Sequence, residues 1–421
     1  MGNIKWEENI ILLCIFGAVL VVPFVYLPIK SVYDFFYFPK YLTLVLITCL
    51  LLVIIVRKPN YINKLIKFDI INKFLFLYFI LVTISLFFSL DPILSLQGRF
   101  LRYDGYSTQL MYIILFLFAR SIQNVDKKFV YLVSVTSAIL SFYGILQYIG
   151  VDFFIRDLTR MNWTSAFSTF GNQNFFGSYL VLQIPFSLYI IIVNNQKWAY
   201  ITYSLTLLAM FMTMTRSAWI GFVISFCFLF FLLRKKNKIT SIIFTSIMIL
   251  IIFNYLDKNQ LFNRFMTLID DAKVLSFTSY SENPEIIERL GSIRIFIWIR
   301  VFEMIKMRPV FGFGIENLAL VFEKYYFNDI VKFNGNYVVI DKAHNDYLHI
   351  AVSSGIPSLI MYLSFLFTIA YQALKHTSQE INILLFSSIL GYLICLFFNI
   401  SVVSVAYIFW IYLGLLCRYN M

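Results

Sequence analysis

The chain has 421 residues, 60% of them hydrophobic and only 13% charged, with a mean hydropathy of +0.80. A soluble domain carries roughly 25% charged residues, so this composition cannot cover a water-exposed surface and excludes an ordinary soluble enzyme. The formal charge of +12 reads as Lys- and Arg-rich loops that fix membrane orientation, not as a nucleic-acid surface.

A membrane span needs roughly 20 apolar residues. On that measure the chain is an all-α polytopic membrane protein with about twelve transmembrane helices. They fall at 9–28, 37–56, 74–90, 107–119, 129–149, 174–193, 199–214, 217–233, 239–256, 346–371, 381–398 and 401–417. The first run follows Glu7 and Glu8 and precedes no small-residue cleavage site, so it reads as a span and not a signal peptide. The fourth is short and extends into the polar residues before it. Only Thr215 and Arg216 separate the seventh from the eighth.

With the N-terminus in the cytoplasm, the even connections are cytoplasmic. They hold Arg57, Lys58, Lys64, Lys67 and Lys73, then Arg120, Lys127 and Lys128, then Lys197. Further along come Arg234, Lys235, Lys236 and Lys238, and finally Lys375. This bias predicts that both termini are cytoplasmic. Residues 257–343 differ, with eleven basic and eleven acidic side chains. A loop this long escapes the positive-inside count and is expected outside. Within it Ile286, Ile287, Leu290, Ile293, Ile297, Val301 and Ile305 recur at three- and four-residue steps, which predicts one helix over 285–307, ended by Pro309. The organisation is thus nine helices in 1–256, an extracytoplasmic loop in 257–343 and three helices in 344–421.

Polar residues gather at the outer ends of these spans. His344-Asn345-Asp346-Tyr347-Leu348 stands where the long loop re-enters the membrane. An ionisable residue at a membrane edge is costly to bury and so points to function, and histidine exchanges a proton near neutral pH. The alternative is an interfacial histidine satisfied by its neighbours. His349 follows five residues later and leaves the face of His344, so no metal pair is expected. Arg216 interrupts more than thirty apolar residues, and its fork suits phosphate oxygens, unless it merely snorkels to the surface. Arg294 and Trp298 share a helix face, whereas Arg289 and Arg300 read as a solvated face. Asn172 and Asn174, within Gly171–Gly177, offer amides at a helix N-terminus. Arg99 and Arg102 precede the fourth span, and either stretch could bind sugar or cap a helix. The five cysteines form no CxxC or metal spacing and read as apolar helix residues. No dinucleotide, P-loop, zinc-protease or nucleophile-elbow motif occurs, so no cofactor or metal is expected.

At these residues the chain resembles the O-antigen ligase, Wzy-type polymerase and bacterial O-oligosaccharyltransferase superfamily. The resemblance rests on GNQNFFGSYL, TMTRSAWIG, RIFIWIRVFEMIKMRPVFGFGIEN and AHNDYLHIAVSSGIPSLI, in that order, and covers most of 90–365. It implies a membrane glycosyltransferase scaffold in the bacterial cytoplasmic (inner) membrane, with an extracytoplasmic site. It implies metal-independent transfer of a glycan from a polyprenyl-diphosphate carrier, usually undecaprenyl, to an acceptor hydroxyl on a glycan, lipid or protein. His344 would be the base, with Arg216 and Arg294 on the diphosphate. Asn345, Asp346, Tyr347, Trp298, Asn172, Asn174, Arg102 and Arg99 would line the substrate site. A repeat-unit polymerase is the alternative within the superfamily, and a lipid-linked glycan transporter the alternative outside it.

Overall fold

The computed structural model describes residues 2–27, 34–67, 69–153, 165–234, 238–277, 280, 283–375 and 379–418. Among them every regular element is helical. The N-terminal half comprises α1 (Gly2–Val21), α2 (Tyr37–Arg57), α3 (Ile62–Leu65), α4 (Ile70–Phe87), α5 (Pro92–Gln97), α6 (Tyr106–Arg120), α7 (Lys127–Tyr148), α8 (Gln173–Ile192), α9 (Ala199–Met212), α10 (Arg216–Leu233) and α11 (Ile239–Leu256). The long loop folds into α12 (Gln260–Phe277), α13 (Pro284–Arg289), α14 (Arg294–Met307) and α15 (Leu318–Asn334). The chain ends in α16 (Asp346–Ser354), α17 (Ile356–Lys375), α18 (Glu380–Leu396) and α19 (Ala406–Leu416).

Each expected span contains a helix, which makes the chain a polytopic membrane protein. Eight of the described helical segments are long and apolar enough to cross a bilayer: Trp6–Phe24, α2, α4, α7, α8, α10, α11 and α17. The helices at the other four positions are shorter, with 15 residues in α6, 14 in α9, 17 in α18 and 11 in α19. The expected cytoplasmic Lys235 and Lys236 lie outside the described residues.

Local chemistry sets the helix starts. Asp69, Asp91, Asp126, Asn172 and Asn345 each accept a hydrogen bond from a backbone N–H in the first turn of α4, α5, α7, α8 and α16, satisfying a donor that has no partner within the helix. The core is built around α8, which is buried over its whole membrane window. There Ser134 bonds Ser187 at 2.7 Å and Thr202 at 2.8 Å, tying α7, α8 and α9 together through hydroxyls. Helices α10 and α18 meet where two glycines face each other. A Cβ on Gly221 would lie 2.5 Å from the Gly391 carbonyl oxygen, so this close crossing depends on small residues. Gly221→Ala is expected to lower stability by about 1–3 kcal/mol through overpacking. Gly17→Ala, with nothing within 4 Å of its new Cβ, should be neutral or slightly stabilising. Thermal unfolding in detergent distinguishes the two.

Two expectations need correction. The helix expected over 285–307 is two helices, α13 and α14, because Gly291, Ser292 and Ile293 all take positive φ. The span expected at 346–371 breaks at Gly355, so only α17 is a candidate span there. The cause is the turn that follows α14. Phe313 N–H donates to Val352 O at 3.0 Å, Gly314 N–H to Ser353 O at 2.8 Å, and Ile356 N–H to Pro309 O at 2.8 Å. These bonds insert the turn between α16 and α17. The fit requires glycine at Gly355, where φ is +88° and a Cβ would sit 2.0 Å from Val310 O.

The loop has its own core. Phe296, Ile297, Val301 and Met304 of α14 pack with Leu318, Val321, Phe322 and Ile330 of α15 and with Ala351 and Val352 of α16. Contacts then anchor it to one end of the bundle. Asp91 N–H donates to Asn317 Oδ1 at 2.9 Å, Arg102 pairs with Asp341 at 2.7 Å, and Ser401 N–H donates to Asp346 Oδ1 at 3.1 Å.

Candidate active site

Three helix starts converge on one cavity of about 380 Å³. Gln173, Arg216 and Arg294 are the first residues of α8, α10 and α14, and all three line it. A helix N-terminus carries unsatisfied N–H groups and about half a positive charge, which favours an anion. Leu268, Leu275, Ile220 and Phe398 add apolar wall.

The arginines sharpen this preference. Arg216 Nη1 donates to Asp271 Oδ2 and Thr267 Oγ1, both at 3.1 Å, and Nη2 donates to Ser292 Oγ at 3.1 Å. Arg294 Nη1 donates to Gly291 O at 2.7 Å, and among the described residues its buried Nε has no partner. Burial, and after it the neighbouring charge of Arg216, brings Arg294 down to about 10. Arg264 on α12 also lines the cavity, and burial followed by Arg216 lowers it too. Three guanidinium groups thus surround one cavity that contains the single carboxylate of Asp271. Arginine stays protonated at neutral pH, so the strain is relieved by an added anion.

Trp298 stands one helical turn beyond Arg294 and lines the same cavity. Its indole N–H donates to Ala343 O at 3.0 Å, which joins the cavity wall to the residue before His344. The His344 backbone has φ +50°. Burial, and next the Arg294 charge, pushes its imidazole down to about 4, so it is unprotonated at physiological pH. The segment carrying it is fixed by two ion pairs to the α5–α6 connection. Asp341 takes Arg102, and Lys342 takes Asp104 at 3.3 Å as well as Glu316. Against the burial that raises it, Arg102 holds the Asp341 carboxyl below the usual range.

The structure separates the other expected site residues. Asn174 lines the cavity. Asn172 caps α8 and accepts from Asn174 N–H at 2.8 Å. Asn345 caps α16 and accepts from Leu348 N–H at 3.0 Å. Tyr347 donates to Leu393 O at 2.9 Å. Asp346 lines a second, smaller cavity. Arg102 lies over the Phe175 ring at 5.9 Å, and Arg99 acts on Asp341 from the same connection. Arg300 is not on a solvated face: its guanidinium stacks 3.9 Å from the Phe296 ring and pairs with Glu288 at 2.6 Å.

Sequence reasoning missed Arg264, Thr267 and Asp271. The signal was present as Arg264, Leu268, Asp271 and Leu275, spaced by four, three and four residues on one helix face. Mixed charges concealed it in a segment of zero net charge.

Residues 201–363 match the model of the family described as O-antigen ligase, Wzy_C, which supports the O-antigen ligase superfamily. The matched stretch takes in Arg216, Arg264, Arg294 and His344 but begins after Gly171–Gly177. No curated protein matches the chain.

Proposed function

We propose, from an O-antigen ligase domain over residues 201–363 in a polytopic membrane protein, that the chain transfers a glycan from a polyprenyl-diphosphate carrier to an acceptor hydroxyl. The observation that carries this reading is the cavity where Arg216, Arg264 and Arg294 meet three helix N-termini; His344 is not in its lining, but Arg294 is close enough to act on it electrostatically. A diphosphate at a membrane surface matches that charge. Its prenyl chain matches the apolar wall of Leu268, Leu275 and Ile220.

In this mechanism Arg216 and Arg294 hold the diphosphate and stabilise the charge that develops as the anomeric C–O bond breaks. Neutral His344 accepts the proton of the attacking hydroxyl. Diphosphate bound beside Arg294 offsets the charge that depresses His344, and so raises its basicity as the complex forms. Transfer needs no metal in this scheme. The reaction belongs on the extracytoplasmic side, a reading supported by the basic residues at the opposite ends of the spans, Arg57, Lys58, Arg120, Lys127 and Lys128 among them. Both termini are then cytoplasmic, in the bacterial inner membrane. The three-part division at 256 and 343 puts the loop over the site.

The test supplies the purified protein with a synthetic polyprenyl-diphosphate glycan and a hydroxyl acceptor, with chelator present. Release of polyprenyl diphosphate with glycan on the acceptor is expected. A ladder of lengthened carrier-linked glycan would instead identify a polymerase. Movement of intact donor across vesicles without cleavage would overturn the transfer reading in favour of a transporter.

A further inference from the structure

One turn into α16 from His344 lies the smaller cavity, about 50 Å³ in volume. Asp104, Lys342, Asp346, His349, Ser353 and Tyr362 help to line it. Its charges do not balance. The Lys342 ammonium is shared between Glu316 and Asp104, and Asp346 supplies a third carboxylate. Lys342 and Glu316 are each 1% exposed, Asp104 5% and Asp346 7%. Keeping two uncompensated negative charges buried is costly, so the cluster gains by holding a proton. Among the described residues no group of three or more His, Cys, Asp or Glu side chains is arranged to hold a metal ion.

A second observation is independent of this charge count. His349 is 8% exposed, and among the described residues neither of its ring nitrogens has a hydrogen-bond partner. Glu316 Oε2 and Ser353 Oγ share that state. A neutral imidazole offers one donor and one acceptor, and a water needs roughly 10–15 Å³ of such space. The cavity therefore accommodates about three waters around an imidazole otherwise without partners. His344 and His349 are close enough to act on each other electrostatically.

We propose that this cavity is the proton exit of the transfer reaction, with His349 relaying the acceptor's proton from His344 to the buried carboxylates. The inference rests on His344 being the base. The acceptor oxygen bonds to the anomeric carbon while the bond from that carbon to the diphosphate oxygen breaks, its electron pair leaving with the diphosphate. The hydroxyl proton goes to His344, then through water and His349 to the Asp104–Glu316–Asp346 cluster. Burial disfavours an imidazolium at His344, and the Arg294 charge adds to this once the diphosphate has left, so the proton moves on. The ionisable groups facing the relay are Asp341, Lys342, His344 and Asp346 along its own segment, Asp104 from the α5–α6 connection, Glu316 before α15, Tyr78 from α4 and Tyr362 from α17. Arg294 of α14 acts through His344.

His349→Phe and His349→Gln test the relay in the full-length protein, with a synthetic polyprenyl-diphosphate glycan as donor. Both should lower kcat by about tenfold or more, short of the 10²–10⁴ of a direct base, and leave donor KM unchanged. The solvent deuterium isotope effect on kcat should rise, and added imidazole should restore part of the rate in a further variant, His349→Ala, whose small side chain leaves room for it. If His349→Phe does not fold, His349→Gln carries the test. Variants that keep the wild-type kcat and isotope effect would overturn the relay alone. So would a fall in kcat with no change in isotope effect and no imidazole rescue, since that is a structural loss. A wild-type protein that never cleaves the donor would overturn the reading of the site and the relay with it.

Discussion

Arg216→Ala is expected to lower kcat by about 10²–10³-fold, the loss typical when one preorganised donor to a developing oxyanion is removed. Single-turnover release of polyprenyl diphosphate, measured on folded protein, checks it. Arg216 is the first residue of α10, so its fork and the helix dipole act on the same anion. Arg216→Lys keeps the charge but loses the two-pronged geometry, and should fall between wild type and alanine. A rate equal to wild type in both variants would remove Arg216 from the mechanism.

The same guanidinium makes Asp271 informative. Asp271 holds Arg216 at 3.1 Å, in the position a phosphate oxygen would take. A carboxylate facing three arginines competes with the donor for them. Asp271→Asn removes that competitor and raises the local positive charge by one. Donor KM should fall, while kcat changes little because the Arg216 contact to the leaving group is unaltered. An unchanged or raised KM would mean that Asp271 serves to position α12 and not to compete.

The membrane class and the helical spans are legible because burial in lipid demands long apolar runs, and few other structures produce them. Arg216 and His344 are legible for the converse reason: a charge or imidazole at the edge of such a run is expensive. What composition hides is anything compensated. Residues 350–371 carry no charged side chain, so hydropathy does not show the break at Gly355 until the Pro309–Gly314 turn is seen to insert there. Lys342 and Glu316 neutralise each other, as do the acids and bases of α12, so neither group stands out from a solvated loop. Arg300 misleads in the same way, since its partners Glu288 and Phe296 come from both sides of a turn that helical periodicity runs straight through. Motif order marks the candidate residues, but the convergence of α8, α10 and α14 on one cavity is a property of the folded chain.

His344→Ala should lower kcat by about 10²–10⁴-fold, the range for a general base, with little change in donor KM. The pH profile separates a base from a merely buried histidine. In the free protein, burial and Arg294 hold His344 near 4, below an unperturbed histidine at about 6.5. The neutral, active form therefore persists above about pH 5, and kcat/KM, which reports the free enzyme, should be flat from there through neutrality. Bound diphosphate adds negative charge beside Arg294 and favours the imidazolium, so the acid limb of kcat should lie at higher pH than that of kcat/KM. Arg294→Gln takes away the second-largest cause of the depression. His344 in the free protein should then titrate at higher pH, and the acid limb of kcat/KM should move up with it. If the limb stayed in place in Arg294→Gln, or remained in His344→Ala, a group other than His344 would be the base.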